Sequence, residues 1–168
     1  MKNFNSIFII TLLLLFSGKL SAQNINSYLF LRTPHTVNFK FDEHSLSYNS
    51  LISAGVGIAH KAKFLEVGAF TGVGDQYGFY TFFGTILKSK NLGNNWYFNS
   101  NWFGEITLIP AQPEAQKGNI YTSGLCFFLY HGFDWGSIGL PLCFGLAYQN
   151  GEISLNTRTI FNVSLNLN

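Results

Sequence analysis

An unbroken two-residue alternation near the carboxyl end limits what this chain can fold into. Ile153, Leu155, Phe161, Val163 and Leu165 share one parity, while Ser154, Asn156, Arg158, Asn162, Ser164 and Asn166 share the other. A period of two is the signature of a β-strand with two unlike faces. Held over about fourteen residues, it is long enough to cross a bilayer as a tilted strand. Strands of soluble proteins average roughly five or six residues.

The amino terminus carries an export signal. Lys2 supplies a positive start, Ile7 to Phe16 is apolar except for Thr11, and Ser21-Ala22 provide small residues for cleavage before Gln23. Residues 1–22 are therefore expected to be removed, leaving 23–168 as one domain. Without Lys2 and Lys19, eight basic residues face eight acidic ones. That balance gives no electrostatic footprint for nucleic acid. Charged residues are 11% of the chain and aromatic residues 17%, with 18 Phe. Soluble domains carry about 25% charge. Scarce charge, abundant aromatics and no second apolar run suit a barrel wall that meets lipid and carries aromatic girdles.

Eight strand-like segments fill the chain between turn signals. Thr36 to Asp42 sets Val37, Phe39 and Phe41 against Asn38 and Lys40. Leu51 to Ala59 sets Ile52, Ala54, Val56 and Ile58 against Ser53, Gly55, Gly57 and Ala59. Phe64 to Thr71 opposes Leu65, Val67 and Ala69 to Glu66 and Gly68, while Tyr77 to Leu87 is aromatic on both parities. Asn95 to Ile109, Ile120 to His131 and Ser137 to Tyr148 continue the alternation up to the final strand. The expectation is an all-β, eight-stranded antiparallel up-and-down transmembrane barrel, the smallest common size. A soluble lipocalin-like barrel or a sandwich would alternate with its faces reversed. Strand length and scarce charge favour the membrane form, in the bacterial outer membrane.

The polar parity is rich in Gly, Ser, Ala and Asn, with isolated charges at Glu66, Glu105 and Arg158. An eight-stranded barrel has interior room only for packed side chains, so a water-filled pore is not expected. With the amino terminus in the periplasm, Asp42–Ser50, Gly72–Gln76, Pro110–Gly118 and Gln149–Glu152 connect strands on the outward side. His60–Lys63, Lys88–Asn94 and Gly132–Gly136 connect them on the periplasmic side. The two sets are similar in size, so loop length barely tests the orientation.

Cys126 and Cys143 are equidistant from a hairpin centred between Asp134 and Trp135, and both fall on the inward parity. They are expected to be cross-strand neighbours, either as a disulfide of an oxidising compartment or as two buried thiols. His35, His44, His60 and His131 have no metal-ligand spacing, so neither a metal site nor a cofactor is expected. Pro34 precedes the first expected strand, and Pro141 lies inside the seventh, where it should weaken the wall.

Thr33-Pro34-His35, then Phe39, Phe41-Asp42, Tyr48-Asn49 and the glycines Gly55 and Gly57, resemble the lipid A palmitoyltransferase family of outer-membrane barrels. The resemblance implies transfer of an acyl chain from a phospholipid to lipid A. His35 would be the catalytic histidine, with Asp75 orienting it and His44 as its rival in an outward loop. The acyl chain would lie along Gly55, Gly57, Gly145 and Ala147, and Pro141 would mark a lateral lipid gate. The family's serine is replaced here by Gln76, its amino-terminal amphipathic helix has no counterpart in Gln23–Leu31, and the chain ends in Asn168 rather than an aromatic residue. The alternative is a non-enzymatic barrel with an envelope structural, adhesion or defence role, similar to small OmpX-like and OmpA-like barrels. Both readings expect membrane lipids as partners, lipopolysaccharide and phospholipid among them, and a monomer.

Overall fold

The computed structural model describes residues 25–72, 77–110 and 118–167. The export signal expected over residues 1–22 lies outside these. Eight antiparallel strands close into a barrel in chain order: β1 (Ile25–Lys40), β2 (Ser45–His60), β3 (Lys63–Gly72), β4 (Tyr77–Gly93), β5 (Trp96–Ile109), β6 (Gly118–Phe133), β7 (Gly136–Gln149) and β8 (Glu152–Asn166). β1 pairs with β8 from Tyr28↔Asn166 to Lys40↔Ser154, which seals the ring. Closure gives every strand a partner on both sides and leaves no edge strand open to another chain.

Several strands are longer than their sequence suggests. β1 begins at Ile25 rather than Thr36 and ends at Lys40, so Pro34 and His35 lie within it. Tyr28, Phe30 and Arg32 occupy its inward parity, and large inward side chains hide the alternation. β2 starts at Ser45 rather than Leu51, which shrinks the expected outward loop to residues 41–44. β4 continues through the expected loop 88–94 as far as Gly93, with bulges at Leu87 and Leu92. Its facing is now defined. Tyr80 and Phe82 point inward, while Phe79 and Leu87 are exposed outside.

These extensions change the loop comparison. The turns on the side of the termini are two residues each, at 61–62, 94–95 and 134–135. On the other side the connections are 41–44, 73–76, 110–117 and 150–151. Asn94 and Asn95 have φ of 49° and 60°, and Asn150-Gly151 have 52° and 94°. Two successive positive φ values are the tight hairpin geometry that asparagine and glycine favour.

The outer wall is apolar over its whole circumference, with Leu31, Ile52, Val67, Trp102, Leu140 and Phe161 exposed on different strands. Exposed aromatics gather at both ends. Phe41, Tyr48, Tyr77, Tyr121 and Tyr148 lie towards the loop end. Trp96, Phe133 and Trp135 lie towards the termini, where Phe133 and Trp135 stack 4.9 Å apart.

Candidate functional site

The interior is built from the inward parity of each strand, and its charges are paired. Arg32 of β1 and Glu66 of β3 form two parallel bonds, Nη1 to Oε2 at 2.5 Å and Nη2 to Oε1 at 2.6 Å. Arg32 Nε also donates to Asn162 Oδ1 at 2.6 Å, and the Tyr28 hydroxyl donates to Glu66 Oε1 at 2.7 Å. The Arg32 guanidinium lies 4.3 Å from the Phe30 ring centre, adding a cation–π contact. The side chains are only 12% and 4% exposed, a depth at which an ion pair survives only with its remaining hydrogen bonds made.

A second pair crosses the lumen. Arg158 Nη1 of β8 meets Glu105 Oε2 of β5 at 2.5 Å, and its Nε donates to Asn156 Oδ1 at 2.8 Å. Asn156 Nδ2 donates to Asn38 Oδ1 at 2.5 Å, and the Thr107 hydroxyl donates to Glu105 Oε1 at 2.9 Å. Phe103, which is fully buried, packs with Phe82, Ile160, Cys126 and Cys143 as an apolar cluster. Cys126 pairs with Cys143 across β6 and β7 with Cα atoms 3.9 Å apart, and the sulfurs are joined as a disulfide.

Two cavities flank this filling, one of about 570 Å³ towards the loop end and one of about 240 Å³ towards the termini. Arg32, Phe82, Cys143 and Ile160 wall both cavities and so form the partition between them. The loop-side cavity has the Arg158–Glu105 pair, Asn38, Ser47 and Ser154 in its lining. An acyl chain placed there would desolvate these groups without giving them partners.

The glycines offer an acyl chain no room either. A Cβ built on Gly55 would lie 2.6 Å from the Phe30 ring and 2.6 Å from Gly68 Cα, and one on Gly57 would collide with the Tyr28 ring. Gly145 faces the backbone of Ser123 and Gly124. Of the four residues expected to line an acyl channel, Ala147 alone borders a cavity. The glycines instead make space for rings from neighbouring strands.

His35 lies on the outer wall, paired across the ladder with Ser50. Its Nδ1 is 2.9 Å from the Tyr48 hydroxyl and 3.1 Å from Ser50 Oγ. His44 is exposed in the turn 41–44 with a φ of 48°. Asp75 and Gln76 lie outside the described residues. Pro141 is buried and points inward, and the β7–β8 pairing skips from Gly139↔Asn162 to Leu142↔Thr159 around it. Pro34 has the matching effect on the β1–β2 ladder, which skips from Arg32↔Ser53 to His35↔Ser50. Pro34 is also the β1 partner of Ile160. The Pro34–Ile160 pair is thus bordered by two interrupted ladders, β1–β2 beyond Pro34 and β7–β8 beyond Ile160, while the β1–β8 ladder between them is continuous.

Sequence reasoning missed the Arg32–Glu66 pair, although Arg32 falls on the same even positions as Tyr28 and Phe30. Together these features define a closed eight-stranded antiparallel β-barrel, apolar outside and filled inside. No protein-family model and no curated protein matches the chain. Among solved structures it is similar to Neisserial surface protein A, with a TM-score of 0.56 and 5% identity, over 83% of this chain and 96% of that one. The likeness is one of fold.

Proposed function

We propose that this chain is an integral outer-membrane barrel with a structural or surface role in the envelope. The observation that carries this reading is the continuous apolar outer wall between two aromatic girdles, around an interior whose charges are paired. Soluble monomers rarely expose apolar patches beyond a few hundred Å², whereas a transmembrane barrel needs a wall of this kind. The two-residue turns beside the termini fit the periplasmic side, since outward loops are usually the longer ones. The structural neighbour is by its name a surface protein, which supports a surface role.

The test is extraction with alkaline carbonate, followed by gel mobility before and after boiling. The barrel is expected to stay with the membrane and to migrate differently once boiled. Release into the soluble fraction would end the proposal.

One observation favours a second reading, lipid A acylation. The β1–β2 ladder is interrupted at Thr33–Pro34, beside His35 and its two hydroxyl partners, and Pro34 and Leu51 at this break line the loop-side cavity. In this reading His35 acts on the acceptor hydroxyl, Asp75 orients it, His44 is the rival base, and the break at Pro141 admits lipid sideways. Lipid A mass spectrometry with the wild type and with His35→Ala decides it. Unchanged lipid A in the wild type removes the enzyme reading and leaves the barrel.

A further inference from the structure

With the two interior ion pairs set aside, the described charges divide by end. Lys40, Asp42, Glu43 and Glu152 lie at the loop end. Lys61, Lys63, Lys88, Lys90 and Asp134 lie at the end of the termini. The ion pairs among the described residues use Arg32, Lys40 and Arg158, and these four terminal-side lysines join none of them. All four are exposed.

They also share one sector of the rim. The turn carrying Lys61 docks on β4, where Ile86 N donates to Ala62 O at 2.6 Å and the Thr85 hydroxyl donates to the same oxygen at 3.2 Å. Lys63 pairs with Thr85 on that strand. The bulge at Leu87 then re-aims the chain. Ile86 opposes inward Asn101, but Lys88 opposes Ser100 and Lys90 opposes Phe98, on the outer parity of β5. Without the extra residue the two lysines would point into the lumen. Bulges commonly redirect side chains in this way. The redirected lysines share the outer face with Trp96 of the terminal-side girdle.

We infer that Lys61, Lys63, Lys88 and Lys90 form a docking surface for the anionic phospholipid headgroups of the periplasmic leaflet. The inference rests on the membrane reading above. Lysines beside an aromatic belt lie at headgroup depth, where their stems cover apolar wall and their ammonium groups reach phosphate. Attraction of such clusters to anionic lipid falls off over about one Debye length, so it weakens with salt.

The test uses the full barrel refolded into phosphatidylcholine vesicles containing phosphatidylglycerol, with Trp102→Phe and Trp135→Phe leaving Trp96 as the reporter. Either lipid is supplied in brominated form, which quenches a neighbouring tryptophan. Brominated phosphatidylglycerol should quench Trp96 as though enriched about fivefold over its mole fraction. The enrichment should vanish in K61Q/K63Q/K88Q/K90Q and in high salt, and persist in the corresponding four-arginine variant. Heat-modified gel mobility checks that each variant is folded. Quenching that follows mole fraction in the four-lysine barrel and the glutamine variant alike would overturn the inference and leave the patch to a soluble acidic partner. Absence of quenching by either lipid would instead overturn the membrane reading, and the inference with it.

Discussion

Glu66 is the residue on which the interior most depends. Its two oxygens accept from Arg32 and Tyr28, so removing its charge leaves a largely buried guanidinium without its counter-charge. Breaking one side of a buried pair costs about 3 kcal/mol or more. Glu66→Gln should therefore lower the urea midpoint of the refolded barrel markedly. Glu152→Gln removes only an exposed contact to Lys40, should cost under about 1 kcal/mol of stability and should leave the midpoint nearly unmoved. Equal shifts in the two variants would show that the interior pair has no special weight. Glu66 was legible in the sequence as a charge on the polar parity, and its partner was not. The first strand was expected to start at Thr36, because Tyr28 and Phe30 put large apolar groups on the inward side. His35 was legible as a residue type, but the same misplaced boundary hid that it faces the outer wall.

At the scale of the strand, Pro34 and Pro141 act together through Ile160. Each proline lacks an amide hydrogen to donate to its neighbour. The interrupted ladders on either side of the Pro34–Ile160 pair leave a thin place in the wall. Amide exchange around Ile160 should be faster than in the flanking stretches of β8, and Pro141→Val should slow it, read by hydrogen–deuterium exchange with mass spectrometry. Uniform protection along β8 would contradict this. The sequence exposed Pro141 within its strand because the alternation from Ile138 to Leu146 is clean. It concealed the matching position of Pro34, which depends on the pairing of chain ends more than a hundred residues apart. β4 was the least legible strand, since aromatic residues occupy both of its faces and its bulges break the period.

For the molecule as a whole, the partition of Arg32, Phe82, Cys143 and Ile160 means that the two cavities do not add up to a channel. Barrel inserted in planar bilayers should conduct no steady ion current, and Phe82→Gly combined with Phe103→Gly should introduce one. A stable current through the unaltered barrel would show that the partition opens. The number of strands and their antiparallel order were readable in advance, because turn signals separate eight segments and most of them alternate. The contrast in turn length between the two ends was not, since it emerges only once the strand ends are known.

The glycine and ring contacts carry a consequence for how this sequence can vary. Gly55 with Phe30, Gly57 with Tyr28, Gly68 with Tyr80 and Gly84 with Phe64 each bring an absent side chain together with a large one. Neither member can drift by itself. Enlarging the glycine evicts the ring, and trimming the ring leaves a hole above bare backbone. Permitted substitutions at these sites should therefore come as matched exchanges, a ring lost on one strand as bulk is gained on its neighbour. In a library randomised at Tyr28 and Gly57 together, folded survivors should be correlated in size even where they share no chemistry.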